Sequence, residues 1–176
     1  MPDAGAVAPL TVRPLARHDA DLLADGFAGE HVRGRDVWRR RLAAAEAGES
    51  TTRVALLGAK PVGWATLVWT SGYSPFRAEG IPEIQDLVVA SGARRQGIGS
   101  RLIAELEGFA LESGARRIGI AVGLYRDYGA AQRLYVRLGY VPDGRGITSH
   151  GAEVEPGSPA RVDDGLLMWL MKEIEG

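Results

Sequence analysis

Cysteine is absent from the 176-residue chain, which excludes a disulfide scaffold, a thiolate nucleophile and any sulfur-ligated zinc site. Histidine is scarce. His18, His31 and His150 are scattered along the sequence, a poor basis for a histidine-built metal centre, and no metal is expected. Aromatic residues make up only 7%, and neither charge sign prevails, the formal net charge being −1. Without a basic excess, nothing global draws the chain to nucleic acid or to a membrane surface. No apolar run approaches the ~20 residues that span a bilayer. The opening MPDAGAVAPL lacks the basic-then-apolar order of a signal peptide, so the cytoplasm is the expected compartment.

What is present reads as globular. Apolar residues reach 45% and charged ones 24%, as in a soluble domain. A chain of this size buries roughly 70% of its unfolded surface and needs no covalent staple. With no repeat and no interior linker, one domain over residues 9–176 is expected, after a loose segment 1–8. All but two of the 21 basic residues, Lys60 and Lys172, are arginine. That excess reflects either a coding preference or arginines that hold phosphates or carboxylates, which suit the guanidinium fork. Only position separates the two.

Periodicity outlines the elements. LTVRPL alternates as a strand, and HDADLLADGFAGE reads as a helix with His18 or Asp19 near its start. RGRDVWRRRLAAAEAG follows as a second helix stopping at Gly48, and residues 51–71 form a hairpin around a turn at Gly58–Pro61. SGYSPFRAEG reads as a loop, EIQDLVV as a strand, and residues 97–113 as a helix burying Ile98, Leu102, Leu106 and Phe109 or Ala110. ARRIGIAVG is a strand, DYGAAQRLYVRLG a helix ending at Gly139, and YVP a strand start. Residues 143–164 read as loop, and GLLMWLMKEI as the closing strand. Alternating strands and helices behind a hairpin predict an α/β or α+β layer fold around one sheet.

The chemistry concentrates in residues 83–110. A strand feeds a loop with Arg94, Arg95, Gly97 and Gly99, and the loop opens directly into a helix. Unpaired N–H groups at the positive end of a helix dipole collect an anion, and glycine lets a phosphate reach the backbone. Glycines serving only a tight turn are the plain alternative. The Walker pattern Gly-Lys-Ser/Thr and the dinucleotide fingerprint Gly-x-Gly-x-x-Gly are both absent.

The order of pieces resembles the GNAT family of N-acetyltransferases. Arg94-Arg95-Gln96-Gly97-Ile98-Gly99 is similar to the family's Arg/Gln-x-x-Gly-x-Gly signature, preceded at the proper distance by Leu87-Val88-Val89. Downstream, Ala131-Gln132-Arg133-Leu134-Tyr135-Val136-Arg137-Leu138-Gly139-Tyr140 reproduces the family's Ala-x-x-Leu-Tyr-x-x-x-Gly-Phe/Tyr string. VRPLARHDADLLADGF looks like the family's first strand and helix. The resemblance covers nearly the whole chain, with residues 83–142 its specific part. It implies a layered fold with a central mixed, mostly antiparallel sheet of about seven strands flanked by about four helices.

The resemblance also implies acetyl-CoA as co-substrate. Residues 94–100, including Ser100, would supply amides to its pyrophosphate, and Leu87, Val88 and Val89 would pair with the pantetheine arm as an added strand does. The Leu87 amide would face the acetyl carbonyl. Tyr135 stands where the family often has a tyrosine able to protonate the departing thiolate; the alternative is a core aromatic, whose hydroxyl would still need a partner. Glu83, four residues before Leu87, is the candidate general base, with substrate binding or a solvated strand end as its other readings. Strict alternation places Glu83, Gln85 and Leu87 on one face and Asp86, a rival carboxylate with a structural reading, on the other. Tyr128 replaces the asparagine that commonly contacts the cofactor in the family, so Tyr125 and Tyr128 are candidates either for that contact or for lining the acceptor site. Among Arg33, Arg35 and Arg39–Arg41, an ordinary solvated face competes with attraction of an anionic acceptor or a partner protein.

The expected activity is direct acetyl transfer to a primary amine, preferably of a small molecule, without a covalent enzyme intermediate. Acetylation of a protein N-terminus or lysine and a non-catalytic acyl-CoA-binding module are the alternatives, and a homodimer stays open. A nucleic-acid binder using residues 31–41 is disfavoured by the balanced charge.

Overall fold

Thirteen regular elements follow one another in the computed structural model, which describes residues 8–27 and 34–175. Strand β1 (Leu10–Pro14) leads to helix α1 (Asp19–Gly26), helix α2 (Arg35–Glu46) and the neighbouring strands β2 (Ser50–Leu57) and β3 (Lys60–Val68). Helix α3 (Ser74–Glu79), strand β4 (Glu83–Val89), helix α4 (Ile98–Glu112) and strand β5 (Arg117–Gly123) come next. Helix α5 (Gly129–Arg137) and strands β6 (Val141–Ser149), β7 (Ala152–Glu153) and β8 (Leu166–Glu173) complete the chain. The strands form one sheet in the order β1-β2-β3-β4-β5-β8-β6-β7. Pairing is antiparallel for β1–β2, β5–β8, β6–β8 and β6–β7, and parallel for β4–β5. This is the mixed, mostly antiparallel sheet expected, with eight strands and five α-helices among the described residues.

Contacts group the chain into two compact units. One comprises the chain up to Thr66 with Asp86–Glu105, the other Leu67–Gln85 with the chain from Leu106 onward. The core of the first is aromatic. Trp64 meets Phe27 edge-on at 4.6 Å and Trp38 at 5.0 Å, surrounded by Leu23, Val54, Leu56 and Val88. Such edge-to-face pairs contribute about 0.5–1.5 kcal/mol beyond their area. Gly63 is required here: a Cβ on it would lie 2.7 Å from the Val88 carbonyl oxygen, with Leu102 and Ile98 of α4 at 3.4 and 3.5 Å.

The second unit centres on Tyr73, stacked on Trp169 at 4.1 Å with Phe76 edge-on to both. Its ladder is regular between β5 and β8, from Arg117↔Glu173 to Gly123↔Leu167.

Two segments depart from the expectation of loop. Within 71–80, Ser74–Glu79 forms α3, because Pro75 presets a helical φ at its start and Gly80, at φ 65°, caps its end. Residues 143–149 continue β6, since Ile147, Thr148 and Ser149 pair with Met168, Leu167 and Leu166. Gly144 and Gly146, both at φ 82°, make the irregular stretch that hides this strand from its sequence pattern. The strict alternation assigned to β4 also fails, because Asp86 sits at φ 51° and interrupts the period of two. Of the expected loose segment 1–8, residues 1–7 lie outside the described residues, as do His31 and Arg33 of the arginine cluster.

Candidate active site

The glycine turn lies in the first unit. After Val89 a single 3-10 turn, Ser91–Ala93, leads into an exposed stretch from Arg94 to Gly97. Arg95 and Gly97 both take positive φ, 64° and 79°. Alternating backbone handedness of this kind turns successive amides toward one concavity. A Cβ placed on Gly97 meets nothing within 4 Å, so the space beside that backbone is open. The Arg94 guanidinium folds back, its Nε–H donating to the Val89 carbonyl at 3.1 Å. Gln96 lies with its side-chain nitrogen 3.5 Å from the Gly92 carbonyl oxygen. Ile98 is buried and anchors the head of the 15-residue α4, with Gly99 and Ser100 half-buried in its first turn. On the strand before this turn, Val88 is buried while Leu87 and Val89 are half-buried.

The second unit holds Glu83, Tyr128 and Tyr135. Glu83 is buried at 4% exposure and accepts a 2.6 Å hydrogen bond from the Ser71 hydroxyl. Burial pushes its pKa upward, an effect partly offset by hydrogen bonds from Ser71, Gln85 and the Gly72 backbone. A carboxyl group tuned this way titrates closer to neutrality, as a general base needs. Its partner Ser71 is invisible in a local reading of the sequence, because a short helix and a turn separate them.

Tyr135, on α5, is buried at 5% exposure. Burial raises its pKa, reinforced by Tyr128. Among the described residues its hydroxyl has no hydrogen-bond partner, and its ring lies 6.1 Å from that of Tyr140. Tyr140, by contrast, donates to Glu107 at 2.9 Å. Tyr128 packs over Gly123, where a Cβ would come within 2.4 Å of its ring. Its hydroxyl donates to Asp164 Oδ1 at 3.0 Å, and Tyr125 donates to the same oxygen. Those two hydroxyls hold the Asp164 pKa down. Asp164 therefore clamps the segment before β8 onto the turn between β5 and α5.

Arg35, Arg39 and Arg41 of α2 make ion pairs. Arg35 meets Asp21 and Asp25, Arg39 meets Asp36, and Arg41 meets Asp86. The Arg41–Asp86 pair and the Asp164 clamp are long-range contacts that no local pattern announces. Among the described residues no group of acidic, histidine or cysteine side chains is arranged to hold a metal ion. No described helix is long and apolar enough to cross a membrane.

A strand leads through an open glycine turn into a long helix, on a mixed, mostly antiparallel sheet. The model of the acetyltransferase (GNAT) family matches residues 20–140, and the chain belongs to that family. Its fold is similar to that of an N-acetyltransferase from Staphylococcus aureus Mu50, at TM-score 0.70 and 15% identity over 95% of this chain and 99% of the other. It is similar to yncA from Salmonella typhimurium, determined with its cofactor acetyl-CoA, at TM-score 0.67 and 15% identity over 94% of each chain. A ribosomal-protein-alanine N-acetyltransferase from Brucella melitensis aligns at TM-score 0.67 and 18% identity, over 93% of this chain and 99% of the other. Comparison with curated proteins found no match.

Proposed function

We propose that this chain, acting as one domain over residues 9–176, is an acetyl-CoA-dependent N-acetyltransferase whose acceptor is the primary amine of a small molecule. The observation that carries the reading is the open turn at Arg95–Gly97 at the head of α4, which fits a pyrophosphate. The Tyr135 hydroxyl, without a hydrogen-bond partner among the described residues, fits a sulfur in need of a donor. Bound acetyl-CoA supplies an activated acetyl group and a thiol leaving group.

The chain's own residues divide the remaining work. Arg94, Arg95, Gln96, Gly97, Ile98, Gly99 and Ser100 hold the pyrophosphate, mainly through backbone N–H groups. The β4–β5 register covers Glu83 and Ile84, and the next part of the strand, Leu87–Val89, pairs with the pantetheine arm. The Leu87 N–H points to the carbonyl oxygen and stabilises charge developing there. Glu83 accepts the amine's proton, and Tyr135 donates its own to the leaving sulfur. With its hydroxyl engaged by Asp164, Tyr128 offers the cofactor its ring. The absence of cysteine agrees with direct transfer. The Asp164 clamp ties the end of the 143–164 segment to Tyr125 and Tyr128, which supports a small acceptor.

Thiol release from acetyl-CoA across a panel of small primary amines and alanine-terminated peptides tests the reading. Release with a small amine is expected. Release with peptides alone would make the acceptor a protein, and binding without release would make the chain a non-catalytic acyl-CoA module. For the turn, Gly97→Asn keeps a residue type that tolerates positive φ yet fills the open space. The acetyl-CoA Kd measured by calorimetry is expected to rise at least about tenfold, or about 1.4 kcal/mol. Unchanged affinity in the folded variant would remove the phosphate assignment.

A further inference from the structure

Asp86 is one of three non-glycine residues at positive φ among those described, and it alone lies in β4. It directly precedes Leu87. The Leu87 N–H belongs to the peptide plane joining residues 86 and 87, so its direction follows from the dihedral angles of Asp86. Left-handed backbone is disfavoured for residues with a Cβ, less so for aspartate than for most, and inside a strand it persists where its surroundings hold it.

Part of those surroundings is Arg41 of α2. One terminal nitrogen donates to Asp86 Oδ2 and the other to Thr66 Oγ1 on β3, whose oxygen lies 2.8 Å from Thr52 Oγ1. The guanidinium carbon lies 5.5 Å from the centre of the Trp38 ring. Only 14% of the Arg41 side chain is exposed, against 51% for Arg35 and 71% for Arg39 on the same helix. Its Nε is buried without a partner among the described residues, so the geometry is set by the two terminal nitrogens. A planar fork held on strand, helix and ring makes a rigid post.

We infer that Arg41 is a positioning residue: by pairing with Asp86 it holds the left-handed break in β4 and so aims the Leu87 amide. This rests on the reading of Leu87 as the donor to the acetyl carbonyl.

Asp86→Ala and Asp86→Gly test it together, because both delete the carboxylate but only glycine takes positive φ freely. Asp86→Ala and Arg41→Gln are each expected to lower kcat by about tenfold or more, the effect of a misaimed donor. Acetyl-CoA Kd should stay within about twofold, since the pyrophosphate turn is untouched. Asp86→Gly should recover to within about threefold of wild type, and adding Arg41→Gln to it should cost nothing further. A loss shared equally by the alanine and glycine variants, or wild-type kcat in Asp86→Ala, would overturn the inference. The crystal structure of Arg41→Gln gives a readout independent of turnover. Residue 86 should leave its φ of 51°, and an unchanged φ overturns the inference. A wild-type chain that binds acetyl-CoA but acetylates no amine would instead overturn the proposed activity, leaving the φ measurement to decide the role of Arg41.

Discussion

Glu83→Gln is expected to lower kcat/KM by about 10²–10³-fold, within the range of a lost general base. The replacement keeps the shape and a hydrogen-bonding group for Ser71 while removing the proton acceptor. Because burial raises the Glu83 pKa, the wild-type acidic limb should fall above the ordinary carboxylate value of about 4.3. The variant's defect should be greatest at mildly acidic pH. At high pH more of the amine is already deprotonated, and activity should partly recover. Amines of different pKa separate the limb of the enzyme from that of the acceptor. A variant that loses acceptor affinity at every pH with kcat intact would make Glu83 a binding residue.

The same substitution has a stability signature of definite sign. With its pKa raised on folding, the folded chain holds the Glu83 proton more tightly than the unfolded chain does. The stabilisation from the protonated form is therefore full below about pH 4.3 and is lost as pH rises through the raised folded pKa. Glutamine carries no such loss. Melting curves should show wild type declining relative to Glu83→Gln as the pH increases through that window. Parallel curves would mean that Glu83 titrates as it does in the unfolded chain.

Tyr135→Phe keeps the buried ring and removes a hydroxyl that has no hydrogen-bond partner among the described residues. Stability should therefore change little, unlike the loss of a buried hydrogen bond. Turnover should fall by roughly 10²-fold, with acetyl-CoA Kd nearly unchanged, because the donor is needed only as the sulfur departs. Wild-type kcat with a good amine would show that water or another group protonates the sulfur and that Tyr135 serves packing. Tyr140→Phe is the contrasting case. Its hydroxyl is committed to Glu107, so that variant should lose stability while kcat stays near wild type.

The sequence by itself determined the order of strands and helices apart from α3, the later part of β6 and β7, together with the glycine turn before α4 and the two motifs that mark the family. These are local properties: apolar spacing, helix-start geometry and the backbone freedom of Gly97 act within a few residues of one another. It also singled out Glu83 and Tyr135, though not what surrounds them. The tertiary structure decided that Ser71 donates to Glu83, that Tyr135 keeps a hydroxyl without a partner among the described residues, and that Asp164 gathers Tyr125 and Tyr128. It turned part of an apparent solvated arginine face into the post that pairs with Asp86, and the glycine-broken segment after Tyr140 into a strand. In each case the deciding contact joins residues distant in the chain. A hydrogen-bond partner, a buried charge or a paired edge acquires its energy only when folding brings the second group within reach.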